Sequence, residues 1–379
     1  MKKFTLYLAT VALLAAGCSK TEVVGPQNGK GINFAAYTAK TTKAPQIDVE
    51  TGNLSAFKVT AFGNGALYFD NVTFTKNAVS NVWESDTKYF WPAFPLTFYA
   101  YNTPTVYGTA TQATGFVFET DITSGNQILS VIPAAELAYQ QDLVAAYAAD
   151  KKESDATNTG NSLSLTFNHY LTQVIVKATN ENSAYKVVVD GVKIANMAGH
   201  GTYTFSTGIM TATSGSFADY TATFGPKELT QTAQEVMTNA GTGKWYLIPQ
   251  TVTSWDPNTP FNPRTNSAND SHGTYLALKV KITTKNEALK IYPATGDDSG
   301  WMAVPIPSAL SFLQGWKYTV NIKFFSNNGA GYVDPEDGSD LNGDGEANDN
   351  GKKIIGGEIK FDANVNEWDD QNNNIEIYL

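Results

Sequence analysis

Along this 379-residue chain, apolar and polar side chains alternate strictly in run after run, from one end to the other. Successive residues of a strand point to opposite faces, so a period of two describes a pleated strand with one dry face and one wet face, and no helix. In the longest run Trp316, Tyr318, Val320, Ile322 and Phe324 share one face, and Lys317, Thr319, Asn321 and Lys323 the other. Leu276, Leu278, Val280 and Ile282 oppose Ala277, Lys279 and Lys281 in the same way. Leu163, Leu165, Phe167 and His169 likewise oppose Ser164, Thr166, Asn168 and Tyr170. Further strands are expected at 32–37, 57–62, 96–101, 185–189, 245–248 and 359–365. Helical periodicity is weak. The alanine-rich stretch 133–150 fits a turn or two of helix, or a strand over 142–147, and 307–313 fits one short helix. With 19 Tyr, 20 Phe and only 16% charged residues, the composition suits sheets that pack bulky side chains, and the expected class is all-β.

The N-terminus speaks for export. Lys2 and Lys3 precede an apolar run from Phe4 to Ala16, too short to span a bilayer and of the length of a signal peptide. Ala15-Ala16-Gly17 then places small residues in front of Cys18, the pattern in which a signal peptide (1–17) is removed and the cysteine becomes an acylated first residue. An ordinary secretory signal with an incidental cysteine is the other reading. Cys18 is the only cysteine, so no internal disulfide can form and stability must come from apolar burial. Residues 18–30 read as a polar tether. The roughly 360 residues left after the signal exceed what one β-sandwich usually holds, which argues for two domains. Lys151 to Asn161 is polar throughout, and placing the boundary there gives domains at 31–155 and 156–379. Asn327 to Lys353, rich in Asp, Asn and Gly between two strong strands, is expected at the surface.

A net charge of -10 with a single arginine, Arg264, excludes a nucleic-acid partner, because phosphate binding needs clustered basic residues. Asp340, Asn342 and Asp344, followed by Gly345, match the opening of a calcium loop. The twelfth place holds Gly351 where a bidentate Glu belongs, so an acidic surface loop is the favoured reading, with calcium the alternative and no other cofactor expected. His169, His200 and His272 lack metal-ligand spacing, and His169 lies on the apolar face of its strand. No nucleophile-elbow pattern occurs, and no enzyme is expected. Trp83, Tyr89, Phe90, Trp91, Trp255 and Trp301 suit either a large β core or, if exposed, a platform that stacks on sugar rings.

A series of short patterns then acquires meaning from its order. Trp91-Pro92, Leu96-Thr97-Phe98-Tyr99-Ala100-Tyr101, Gln141 to Ala145, Leu165 to Leu171 and Val174-Ile175-Val176 lead into Gly315 to Val320, Gly331 to Pro335, Gly356 to Phe361 and Val365 to Trp368. Together they resemble the fimbrillin family of type V pilins over nearly the whole mature chain. That resemblance implies two transthyretin-like β-sandwich domains in tandem, and a lipoprotein of the outer membrane exposed on the cell surface. It further implies a fimbrium subunit contributing to adhesion, whose partners are other pilin subunits and a host or bacterial surface ligand. In the family a surface protease removes an N-terminal strand, and a C-terminal strand of another subunit fills the exposed groove. The physics holds independently: an unpaired edge leaves rows of N–H and C=O groups that an incoming strand satisfies. Here Ile32, Phe34 and Ala36, alternating with Asn33, Ala35 and Tyr37, are the groove-strand candidate. Lys40 and Lys43 are the processing candidates, where family members often carry arginine. Ile375, Ile377 and Leu379 are the donor-strand candidates, after the polar run 369–374. If the terminal strand completes its own domain instead, the chain is a tip or accessory pilin that does not polymerise. A monomeric glycan-binding outer-membrane lipoprotein is a further alternative, and a secreted hydrolase on a β scaffold is the last.

Overall fold

A computed structural model describes residues 29–38, 54–102, 117–123, 127–238, 243–258, 273–296, 299–307, 310–326, 329–336, 351–355, 360–367 and 375–377. The chain is all-β, as its alternation requires, and the described residues contain no α-helix. The stretch 133–150 holds a single 3-10 turn at Leu137–Tyr139 and then a strand, and among the described residues of 307–313, where a short helix was expected, lies a two-residue strand, Ser311–Phe312.

One sheet closes on itself. It consists of β1 (Phe34–Thr38), β2 (Ala56–Gly63), β3 (Ala66–Lys76), β4 (Trp83–Glu84), β5 (Leu96–Tyr101), β8 (Val144–Lys151) and β9 (Leu163–His169). The order around the barrel is β1-β4-β3-β2-β5-β8-β9, and β9 returns to β1 in parallel. Its inward side chains, among them Phe34, Phe57, Phe74, Phe98, Leu165 and Phe167, form one buried cluster. At about 1.5–3 kcal/mol for each large apolar side chain buried, this cluster is a main source of the barrel's stability.

The remainder is a two-sheet sandwich. One sheet holds β10 (Thr172–Asn180), β15 (Gln234–Glu235), β16 (Trp245–Leu247), β22 (Trp316–Phe324), β24 (Lys360–Glu367) and β25 (Ile375–Ile377), with β10 parallel to β22 and β25 at the edge. The facing sheet holds β11 (Tyr185–Ala198), β14 (Phe217–Glu228), β18 (Tyr275–Thr284), β19 (Lys290–Tyr292), β20 (Gly300–Pro305) and β23 (Tyr332–Val333). Their inner faces share a second core, in which Val174, Val176, Val320 and Ile322 from one sheet meet Val192, Ile194, Leu278 and Val280 from the other. A short pair, β17 (Gln250–Thr251) with β21 (Ser311–Phe312), lies beside it.

β6 (Val117–Ile122) and β7 (Gln127–Ile132) lie between barrel strands in the chain but not in space. They form a four-stranded sheet with β12 (Gly201–Thr204) and β13 (Ile209–Ala212), in the order β13-β12-β7-β6, so one hairpin from each half shares a sheet. A third core cluster lies here, joining Tyr99, Tyr101 and Ala145 of the barrel wall to Leu129, Val131, Tyr203, Phe205 and Ile248. The expected boundary at 155/156 falls within the barrel's own β8–β9 connection, between 3-10 turns at Glu153–Asp155 and Thr159–Asn161. The chain passes from barrel to sandwich at Tyr170 and Leu171, both buried in the third core.

Candidate functional site

The barrel is closed by its first strand, the five-residue β1. Along one side β1 pairs with β9 over its full length, from Phe34↔Leu163 to Thr38↔Phe167. Along the other it meets β4 at one pair only, Phe34↔Trp83. Flanking hydrogen bonds extend this seam: Ile32 N donates to Tyr89 O (2.7 Å), Trp91 N to Lys30 O (3.2 Å) and Leu163 N to Asn33 O (2.8 Å). Tyr68 Oη donates to Phe90 O at 2.6 Å and so fixes the loop against which 30–32 lies.

The side chains of β1 and the two residues before it follow the expected alternation except at Ala35, which is buried as well. Ile32, Phe34 and Ala36 are buried, while Asn33 and Tyr37 are half-buried. The Phe34 ring stands 4.7 Å from Phe74 and 5.3 Å from Phe98, edge to face, and 6.0 Å from Phe57. Such pairs add roughly 0.5–1.5 kcal/mol each beyond area burial. Charge is confined to the rim, where Lys76 Nζ lies 5.2 Å over the Trp83 ring and Lys30 pairs with Glu153 at 3.7 Å. Without β1 the six remaining strands become an open sheet with two free edges and a slot lined by Phe57, Phe74, Trp83, Phe98, Leu165 and Phe167. What this site can do chemically is accept one extended strand through main-chain bonds and alternate apolar side chains.

At the other end of the chain, β25 pairs antiparallel with β24 through Val365↔Ile375, Asn364↔Glu376 and Ala363↔Ile377. The backbone of Ile375 and Ile377 therefore extends the sandwich's own sheet. Cys18, Lys40, Lys43, His272, Asp340, Asn342, Asp344 and Leu379 lie outside the described residues.

The other candidates resolve into structural roles. His169 Nδ1 lies 2.5 Å from Asp142 Oδ2, tying the end of β9 to the residue before Leu143 at the entry to β8. His200, in the β11–β12 turn, has Nε2 2.7 Å from Ser130 Oγ on β7. Among the described residues no three His, Cys, Asp or Glu side chains are placed to hold a metal. Trp83, Trp91 and Trp255 are 2%, 3% and 3% exposed, so these rings present no face for a sugar. Sequence reasoning passed over Phe74, one wall of the slot, because Asn71 in the left-handed region (φ 51°) and shifts in the β2–β3 register break the alternation of β3.

A family model described as fimbrillin-like matches residues 36–334. No curated protein matches the chain in sequence. Among solved structures, a fimbrial protein from Bacteroides vulgatus superimposes with a TM-score of 0.55 at 16% identity, covering 90% of this chain and 100% of that one, which supports the same fold. A Bacteroides uniformis protein provisionally assigned to cell adhesion gives 0.45 at 12% identity, covering 89% and 99% of the two chains. The fimbrial anchor protein of Porphyromonas gingivalis gives 0.31 at 11% identity, covering 92% and 99%.

Proposed function

We propose, on the premise that this chain belongs to the fimbrillin-like family, that it is a lipoprotein acylated at Cys18 and carried to the outer membrane, where it serves as a structural subunit of a surface fimbrium and contributes to adhesion. Its neighbours are other pilin subunits, joined to it by strand exchange, and its role is structural rather than enzymatic. The observation that supports this most is the position of β1: a five-residue strand with its apolar side chains in the barrel core, held on the β4 side by a single register pair. Cutting the chain at Lys40 or Lys43 would detach β1 from the barrel that follows it. The slot would then take a strand with apolar residues at every second place, and Ile375, Ile377 and Leu379 repeat the spacing of Ile32, Phe34 and Ala36.

A second reading has its own observation. Because β25 already pairs with β24, a subunit whose terminal strand stays there would occupy the tip of a fibre or act as an accessory pilin. In either case the acidic loop with Asp340, Asn342 and Asp344 is proposed as a surface loop, and calcium, if bound, would serve to stiffen it.

The test treats purified chain starting at Ser19 with limiting lysine-specific protease, while N-terminal mass and particle size are followed together. Cleavage at Lys40 or Lys43 is expected to be followed by growth into heat-resistant ladders, and deletion of Ile375 to Leu379 should abolish that growth. A cleaved protein that stays monomeric removes the stalk reading and leaves the tip or accessory one.

A further inference from the structure

The outer face of the sandwich carries a small core of its own, unrelated to the groove. Ala195, Trp255, Tyr275, Ala277, Ala303 and Tyr332 are buried there, with Trp301 packed against them. A cross-strand row runs Lys193↔Ala277, Ala277↔Ala303 and Ala303↔Tyr332. Two alanines in that row leave space over the sheet for a long side chain. Asp334, two residues beyond Tyr332, is 1% exposed, and the Lys193 side chain is 12% exposed. Gly331 (φ 79°) brings this segment in: a Cβ there would stand 2.4 Å from Met302 Sδ, so only glycine allows so close an approach to β20.

The polar contacts are directed. Lys193 Nζ lies 2.8 Å from Asp334 Oδ2 and 3.2 Å from Glu336 Oε2. Asp334 Oδ1 accepts from Tyr275 Oη (3.1 Å) and from Glu336 N (2.9 Å). At 2.8 Å Nζ stands against Oδ2, while Oδ1 holds the two other donors. The rings of Trp301 and Tyr275 lie 5.4 and 5.5 Å from Nζ, and the Lys193 side chain is 12% exposed against 31% for Glu336. A primary amine, a buried carboxyl with two donors on one oxygen and a second carboxylate beside the amine are what amide formation requires.

We infer that Lys193 and Asp334 are joined after folding by an intramolecular isopeptide bond, with Glu336 as proton carrier. In the unreacted site burial pushes the Lys193 ammonium down while the charges of Asp334 and Glu336 push it up and prevail. The reaction needs the neutral amine, and the proposed route to it is transfer of one ammonium proton from Lys193 to Oδ2 of Asp334 within the pair, giving –NH2 and –COOH. Nζ attacks Cγ, and Oδ1 takes the developing negative charge under the donors Tyr275 and Glu336 N. Glu336 removes a proton from Nζ and passes it to the hydroxyl on Oδ2, which departs as water. One C–N bond forms, one C–O bond breaks, one water is released, and no electrons are exchanged. The product locks the middle of β11 to the segment beyond β23.

Mass spectrometry of the denatured chain from Ser19 onward tests this directly. The expected intact mass is one water below the sequence mass, and protease fragments should include one species joining the peptide of Lys193 to that of Asp334. Lys193→Arg, which keeps the charge but removes the nucleophile, and Glu336→Gln, which removes the proton carrier, should both return the full mass. A wild-type chain at full mass with separate peptides overturns the inference and leaves a buried ion pair. A dehydration mapping elsewhere, such as a succinimide at Asp190-Gly191, overturns it as well.

Discussion

Single tyrosines carry much of the burial in this molecule, and their phenols set its behaviour in alkali. Tyr99 stands on the outer wall of β5 with Phe205 at 5.2 Å, Tyr147 at 5.4 Å and Phe62 at 6.0 Å. Burial, then the neighbouring Tyr147 and Asp150, push its phenol from 10.0 to about 12. Burial raises Tyr203, Tyr220 and Tyr275 as well. A raised phenol means that the folded chain holds a proton the unfolded chain has already lost. Its contribution is therefore complete below the unfolded value and fades as pH climbs to the folded one. The denaturation midpoint should begin to fall above pH 10.0 and keep falling to about 12, and Tyr99→Phe should fall less steeply across that window. Identical slopes for the two proteins would refute the assignment to Tyr99.

Among elements, the two chain-terminal strands differ in how they are held. β25 sits on an edge with three register pairs, and at about 0.2–1 kcal/mol per cross-strand pair its removal costs roughly 1–3 kcal/mol. Deleting Ile375 to Leu379 should thus leave a folded monomer whose melting temperature is only modestly lower, measurable by circular dichroism. Collapse of the fold would mean that β25 is integral to its own sandwich and unsuited to exchange. Strands such as β22 and β9 were legible in the sequence because one face meets a core and the other meets water. The alternation fails where that asymmetry fails. β10 is buried on both faces, with Thr172 and Gln173 as dry as Val174, and reads as a run instead of an alternation. Two-residue strands such as β4 are too short to carry any period, yet β4 supplies one wall of the seam beside β1. The alternation of β1 was visible. Its neighbours were not, since Phe57, Phe74 and Phe98 meet Phe34 only through the barrel's closure, just as Lys193 meets Asp334 only through the order of β11, β18, β20 and β23.

At the scale of the whole molecule, the question is whether barrel and sandwich behave as two bodies or one. Tandem domains joined by a polar linker would melt separately, and the sequence pointed that way through the run 151–161. The structure instead lends β6 and β7 from the first half to β12 and β13 of the second, and buries the passage residues Tyr170 and Leu171 between them. Tyr203 on β12 is fully buried at the centre of this seam, its ring 4.0 Å from Tyr170 and 4.9 Å from Phe205. A seam with a core of its own couples the halves, because unfolding one strips the apolar cover from the other. Scanning calorimetry of the unmodified chain should therefore show one transition whose calorimetric and van't Hoff enthalpies agree. Truncating a buried aromatic side chain costs about 3–5 kcal/mol, and in Tyr203→Ala that loss falls on the coupling itself. The variant should split the single peak into two, each with the smaller enthalpy of half a chain. Two resolved peaks in the unmodified protein, or a Tyr203→Ala peak that moves down without splitting, would show that the shared sheet does not bind the halves into one cooperative unit.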